Sequence, residues 1–416
     1  MKKIICLLLC LSFLLCMLVS CKDDEIGADL DELRDKVQIE EVKEIELDFY
    51  VIVGEGTTQN ATNTVELMIN QHLEGMKTSL DMHYITADEY AAKMMNDIAL
   101  DGDDKADIVL VTSKDMFDSL YDQHLIANIT EYFDPVKSPY RSLNTQICKA
   151  LLSASTVPED AINSAGSIYV KNNNYCVPNN HVVSAYSIVL INREISEYYG
   201  VGQLTASQMV TEELCKPLYD MIDADPNATY TREQAVVITT GSYADVCAYK
   251  ADGRYIVNTL VPTVTAEEAY SSAFAIARHP RDHRFELDLG AEELPADVKE
   301  YSDYYNRCMQ VIYELNTNAD LRNLLLYGKL NTNYKVDAET GYVTHDDIAA
   351  DDVYVMDLLY TGDAFKAYFC ECDKHSWTKD DALYGETQNK DAILYVAPEA
   401  DTPDDSTDGG STDVND

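Results

Sequence analysis

The chain has 416 residues, of which 46% are hydrophobic and 25% charged, and its 73 acidic side chains against 31 basic ones give a formal net charge of −42. A field of that sign repels phosphate backbones and anionic lipid headgroups, which argues against a nucleic-acid partner and against electrostatic attachment to a membrane. The length suits two domains or one large one, and the aromatic content is skewed to 29 Tyr, with eight Phe and one Trp.

Met1-Lys2-Lys3 followed by an apolar run from Ile4 to Val19 has the pattern of a secretory signal peptide, and the run is short for a membrane-spanning helix. It ends Leu18-Val19-Ser20-Cys21, which resembles a lipobox. The expectation is cleavage after residue 20 and acyl chains, palmitate among them, on Cys21, anchoring the protein to the outer face of the cell membrane at ~0.8 kcal/mol per buried methylene. Residues 21–43 are charged and lack aromatics, so they read as a tether that reaches ~70 Å when extended. Lys22-Asp23-Asp24-Glu25 reads either as a solvated stretch or as a surface-export tag. Seven cysteines beyond Cys21 remain, at Cys148, Cys176, Cys215, Cys247, Cys308, Cys370 and Cys372. Their number is odd and their spacing has no zinc or disulfide pattern, so they read as core residues, some of them paired.

Along the ordered part, Glu44–Val53 alternates as a strand and ends in Gly54-Glu55-Gly56. Asn63-Thr64-Val65-Glu66 reads as a helix-opening cap, with Val65, Met68, Ile69, Leu73 and Met76 at helical spacing behind it. Leu80–Ile85 is a second strand. Thr86-Ala87-Asp88-Glu89 has the sequence of a capping box, Ala106–Val111 is a buried strand, and Thr112-Ser113 opens a third helix. Strand, helix, strand, helix, strand predicts a parallel α/β sheet, with ligands beyond the carboxyl ends of its strands. Ser167–Tyr175, His181–Ile191 and Ser271–Ala277 read as further strands, and residues 205–223, 296–315 and 321–327 as helices, the last closed by Gly328. Residues 398–416 contain nothing to build a core and read as a disordered acidic tail.

Three segments carry a resemblance. They are DFYVIVGEG with ADIVLVTSKDMFDSLYDQHLIANITEYFD (Ala106–Asp134), YCVPNNHVVSAYSIVLINREI (Tyr175–Ile195), and AFAIARH followed by NADLRNLLLYGKLNTNYKVDAETGYV (Asn318–Val343). YTGDAFKAYFC and QNKDAILY near the end fit the same pattern. In order and spacing the chain resembles the extracellular solute-binding lipoproteins of ABC importers, in the group that binds carbohydrates and oligosaccharides. The resemblance implies a two-lobed α/β fold of the periplasmic-binding-protein type (type II), with a hinge and an interlobe cleft. It places lobe 1 in residues 44–160 plus 266–330 and lobe 2 in 161–265 plus 331–397. It also implies a monomer with no catalytic role and no cofactor, whose partners are a small solute and the membrane subunits of a permease. Sugar-binding relatives stack rings on Trp; here only Trp377 is available, so tyrosines would supply the platform.

Strand-end position then selects Glu55 and Thr57 after the first strand and Thr112 and Ser113 after the third, each also placed to cap a helix. The second lobe adds Asn180, Ser242 and Tyr243, with Tyr270, Arg278 and Trp377 as further candidates. Two other functions stay open: binding of a peptide or another polar solute, and a surface enzyme acting on glycans. A metal site is not expected. His279 and His283 flank Pro280, which breaks helical spacing, and Asp101–Asp104 lacks the downstream Glu of a calcium loop.

Overall fold

The computed structural model describes residues 44–98, 105–133, 138–143, 169–170, 173–182, 185–201, 211–227, 229–259, 263–264, 266–280, 282, 302–371, 376–390 and 392–394. The signal peptide, Cys21, the tether, Asp101–Asp104, Cys148, Cys372, His283 and the acidic tail lie outside the described residues. Every element below belongs to the compact unit Ile45–Asp416. Among the described residues no helix is long and apolar enough to cross a membrane.

The first lobe starts as the alternation predicts: β1 (Ile45–Val53), α1 (Gln59–Leu73), β2 (Thr78–Thr86), α2 (Ala87–Asp97), β3 (Ile108–Val111) and α3 (Lys114–Asp122). β1 pairs in parallel with β2 from Ile45↔Thr78 to Val53↔Thr86, and with β3 on its other side. A small hairpin of β4 (Tyr169–Val170) and β5 (Asn173–Asn174) precedes β6 (Cys176–Pro178). The chain then leaves for β7 (Tyr186–Asn192), α4 (Arg193–Tyr198), α5 (Thr211–Asp223), α6 (Arg232–Ala235), β8 (Val236–Gly241), α7 (Tyr243–Asp252) and β9 (Tyr255–Thr259). β8 and β9 flank β7, both antiparallel to it. After β10 (Thr263–Val264) and α8 (Ala266–Tyr270), β11 (Ala273–Ile276) returns to the first sheet. It inserts antiparallel between β3 and β6, giving the order β2-β1-β3-β11-β6. α9 (Ser302–Thr317), α10 (Ala319–Tyr327), the short β12 (Lys335–Val336) and β13 (Val343–Thr344), α11 (Lys379–Asn389) and β14 (Ile393–Leu394) complete the fold, and β14 pairs in parallel with β10.

Two cores make this a two-lobed α/β protein. The first gathers Leu47, Phe49, Val109, Phe274, Ile312 and Leu325 around the five-stranded sheet. The second sheet is covered on both faces. Val189 and Ile191 of β7 pack with Leu218 on one side, while Ile188 and Leu190 pack with Val246 on the other, as the two-residue period of a strand requires.

Local structure departs from the sequence reading at two helix starts. α1 starts at Gln59, before Asn63. Its cap is Thr58, whose hydroxyl accepts from Ala61 N and donates to the carbonyls of Asp351 and Val353. Thr86 precedes α2 but makes no side-chain cap bond to its backbone. Its hydroxyl is taken by the Asp88 carboxylate, and that bond is the main reason the Asp88 pKa is lowered.

The lobe boundaries also fall differently. Residues 331–377, expected in the second lobe, place Tyr334, Val343, Tyr354, Met356, Cys370 and Trp377 in the first core. β6, expected beyond the boundary at residue 161, lies in the first sheet. The cause is the stretch 353–364, which lies as a strap across the carboxyl ends of the first sheet. Gly54 N donates to Val355 O at 2.8 Å, Arg322 Nη2 to Leu358 O at 3.0 Å, the Ser272 hydroxyl to Leu359 O, and Ala364 N to Asn180 O at 2.7 Å. Arg322 is fully buried and its guanidinium pKa is pushed down to about 10 by desolvation.

The strap permits little substitution. A Cβ on Gly54 would lie 2.6 Å from Val355 Cγ1, and Gly362 has φ +102° and a Cβ there would overlap the Leu315 carbonyl. Gly362→Ala is expected to destabilise the fold by ~2 kcal/mol or more through strain and overlap. Chemical denaturation of wild type and variant checks this; equal midpoints would remove the strap from the account.

Candidate functional site

The registers bring four chain segments to one edge of the first sheet. β1 and β3 end there at Val53 and Val111, β6 ends there at Pro178, and the antiparallel β11 begins there at Ala273. Residues 54–57, 112–114, 179–181 and 271–272 therefore meet beneath the strap, at the end of an α/β sheet where a ligand is favoured.

Several candidates from this edge are already engaged. Glu55 is exposed in the turn after β1. Thr57 donates its hydroxyl to Val355 O at 3.2 Å and accepts from Val355 N at 3.1 Å, so it ties down the strap. Thr112 Oγ1 faces Met116 Sδ at 3.8 Å. Ser113 is the N-cap of α3, accepting from Met116 N at 3.2 Å. Ser242 likewise caps α7, in a reciprocal box with Asp245. Its neighbour Tyr243 faces the rings of Tyr186 and Tyr384 at 6.1 and 5.8 Å, and its N–H donates to Gln388 Oε1 at 3.0 Å.

Besides Ser242 and Tyr243, which belong to the second lobe, three candidates do not join the edge. Tyr270 is fully buried and stacked on Phe117 at 4.3 Å, so it is core; burial raises its phenol pKa well above the usual value. Trp377 is 6% exposed, edge-on to Phe365 at 5.5 Å and bridged through its backbone to Cys370, so it offers no free face for a sugar ring. Cys370 itself is held in a disulfide, whereas Cys176, Cys215, Cys247 and Cys308 are free. Arg278 follows the carboxyl end of β11. Because β11 runs antiparallel, that end lies at the opposite edge of the sheet, where the guanidinium donates to the carbonyls of His124 and Asp282.

Asn180 borders a cavity. The space, about 350 Å³, is lined by Asn180, Phe365, Glu386, Thr387, Asn389 and Lys390. It lies where the first crossing between the lobes meets α11. Phe365 belongs to the first lobe, while α11 reaches the second through Gln388 and Tyr243. Asn180 Nδ2 donates to Asp363 Oδ2 at 3.3 Å, and burial raises the Asp363 pKa against the lowering bonds from Phe365 N and Asn180. Two amides, a hydroxyl, a carboxylate, an ammonium and one phenyl ring thus line one space. That set suits a polar solute with many hydroxyls and one apolar face. The residues on α11 and Phe365 carried no sequence signal, because they lie some two hundred positions from Asn180 and only the packing of α11 joins them.

A metal-like trio also occurs. Asp48, Asp81 and His83 bring one ligand atom each within 4.8 Å, a consequence of the Asp48↔Asp81 register. His83 Nε2, the nitrogen closest to the carboxylates, is already bonded to Asp48 at 2.7 Å, and its ring stacks on Tyr50 at 4.3 Å.

No family model matches the chain, and no curated protein matches it. Solved structures do. The N-glycan transport solute-binding protein NgtS of Streptococcus pneumoniae, in complex with Man1GlcNAc, is 14% identical, with 84% of each chain covered and a TM-score of 0.44. A sugar transporter from Rhizobium etli in an open conformation is 11% identical, covering 83% of this chain and 95% of the other at a TM-score of 0.26. An ABC substrate-binding protein of Listeria monocytogenes with bound cycloalternan is 10% identical, with 67% and 77% covered at 0.25. The two-lobed plan itself rests on the two sheets and their separate cores.

Replacing Ser113 by Ala removes a cap and nothing else at the edge. It is expected to cost ~1 kcal/mol of stability. Thr57→Val, which cuts both strap bonds, is expected to cost at least as much. Urea unfolding of the two variants measures both.

Proposed function

We propose that the protein is a lipid-anchored substrate-binding protein of an ABC importer. It captures a small polar solute, a sugar or oligosaccharide, between its lobes and presents it to a membrane permease. The observation that carries this reading is the cavity at Asn180. It is placed where two separately built cores are joined by chain crossings, and its lining pairs hydrogen-bonding groups with the Phe365 ring. A hydroxyl left unpaired on burial costs ~1–3 kcal/mol, so a site of this composition selects by matching polar groups. Capture by lobe movement requires only that the solute bind one arrangement better than the other.

The anchor is part of the same reading. The lipobox-like Leu18-Val19-Ser20-Cys21 would hold the protein to the extracellular face of the cell membrane, and residues 22–43 would give it reach to a permease. A Cys21→Ser variant is expected to appear in the culture medium or to keep its signal peptide, and loss of palmitate labelling would accompany either result. Retention of labelled, membrane-bound protein would sink the anchor.

Binding is tested by thermal shift against mono- and oligosaccharides, with peptides as the alternative. A saccharide at a hundred times its Kd should stabilise the protein by ~2.7 kcal/mol, with no release of reducing ends over hours. Peptide-only shifts would assign a different solute, and turnover would assign a glycan-acting enzyme. Glu386→Ala and Lys390→Ala, both at exposed cavity-lining positions, should each weaken saccharide binding about tenfold, equivalent to ~1.4 kcal/mol, while leaving the melting temperature of the free protein unchanged.

A further inference from the structure

The register of the first sheet sets two like charges face to face. β2 is an edge strand, and its Asp81 pairs directly with Asp48 of β1. By the two-residue period of a strand, Glu46 and Tyr50 of β1 and His83 of β2 fall on the same face. Carboxylates directly opposite each other destabilise a strand pair. Two more carboxylates stand close by. Burial raises the pKa of both Asp48 and Glu66, and in each case Asp81 and Glu46 add to the rise while His83 opposes it. No lysine or arginine among the described residues is ion-paired with any of these four acids. Four carboxylates thus surround one imidazole, the kind of local conflict that proteins keep at functional sites.

The ligand atoms are spaced for a cation. His83 Nε2 lies 2.7 Å from Asp48 Oδ1 and 4.0 Å from Asp81 Oδ2. One such atom from each of the three residues lies within 4.8 Å of the others. A point therefore exists within roughly 2.4 Å of all three, which is the length of a bond from a divalent cation to oxygen or nitrogen. The surroundings hold these side chains in place. The His83 ring stacks on buried Tyr50 at 4.3 Å, and Asp48 N donates to Asp107 Oδ2 at 2.9 Å. Next to Asp81, the Asn70 side chain of α1 donates to Leu80 O at 2.8 Å and accepts from Leu80 N at 2.7 Å, which pins the outer edge of β2. Asp81 is exposed, so solvent has a way in and water can complete the coordination. One imidazole nitrogen with carboxylate oxygens and no thiolate suits Zn²⁺, and Mn²⁺ less tightly. When the ion enters, the hydrogen between His83 Nε2 and Asp48 Oδ1 leaves to solvent as a proton.

We propose that Asp48, Asp81 and His83 bind one divalent first-row cation, with Zn²⁺ preferred, and that the ion clasps the edge strand β2 to β1. The site shares no residue with the cavity at Asn180. Full-length protein in detergent, stripped with a chelator and titrated with Zn²⁺ in a calorimeter, is expected to take up one equivalent in a tight phase, ahead of the weak uptake that any surface this acidic shows. At a hundredfold excess over its Kd the ion should raise the melting temperature by a few degrees. Asp81→Asn, at an exposed position, should weaken the tight phase at least tenfold. The metal-free melting temperature of that variant should not fall, because the like-charge pair is gone. His83→Phe keeps a ring against Tyr50 and removes both nitrogens, and it should abolish the tight phase. His72→Ala, at an exposed position on α1, should retain it. Uptake in the weak phase alone overturns the proposal. So does a tight phase of unchanged affinity in either Asp81→Asn or His83→Phe, or displacement of the bound Zn²⁺ by a tenfold excess of Ca²⁺, which would mark a plain acidic patch. Failure of every saccharide to bind would leave the metal result standing, and the reverse also holds.

Discussion

One antiparallel strand organises this molecule. β11 lies between β3 and β6 in a sheet whose first three strands run parallel. Its four residues are completely buried, so Ala273–Ile276 are held by the first core and cannot be displaced without opening it. Because β11 follows the second sheet in the chain, the polypeptide must leave the first core after β6 and return to it. The two crossings this creates run side by side, and Asn179 and His181 on one meet Ser271 and Ser272 on the other. The direction of β11 also decides which residues face the candidate site. Ser271 and Ser272 come to the edge where β1 and β3 end, while Arg278 is carried to the far edge.

The strap depends on that same edge. Residues 353–364 take up hydrogen-bonding groups that the ends of a parallel sheet leave open, through Gly54, Thr57, Ser272 and Asn180. Buried polar groups are costly when unpaired, and here they are paired across long sequence distances. The consequence for function is that Thr57 and Ser113, chosen for their position at strand ends, are absorbed by structure. Polar groups that line an open space lie further along, where Asn180 meets α11. A strand-end rule points to an edge of the sheet and says nothing about which side chains there are claimed by other parts of the chain.

The seam between lobes is polar where the cores are apolar. Asn179, His181, Ser272, Gln388 and Asn389 are all buried there. A seam held by directional hydrogen bonds can exchange one set of partners for another, or for water, at little net cost. An apolar seam of equal area would resist such exchange, since opening it exposes hydrocarbon.

The order of the elements from β1 to α3 was legible in the sequence because it depends on local pattern. β1, β2, β3, β7 and β11 show the alternation or continuous apolar runs of strands, and Val65, Ile69 and Leu73 mark the buried stripe of α1. The helix starts were less legible, since Thr58 is chosen as cap by carbonyls of residues 351 and 353, nearly three hundred positions away. The placement of residues 331–377 in the first core, the burial of Tyr270 and Trp377, and the grouping of Asn180 with Phe365 and α11 were decided by tertiary structure alone. Periodicity reports whether a residue faces inward. It carries no information about which core receives it, or which distant backbone group claims its hydroxyl, because those are settled by contacts between segments that are remote in the chain.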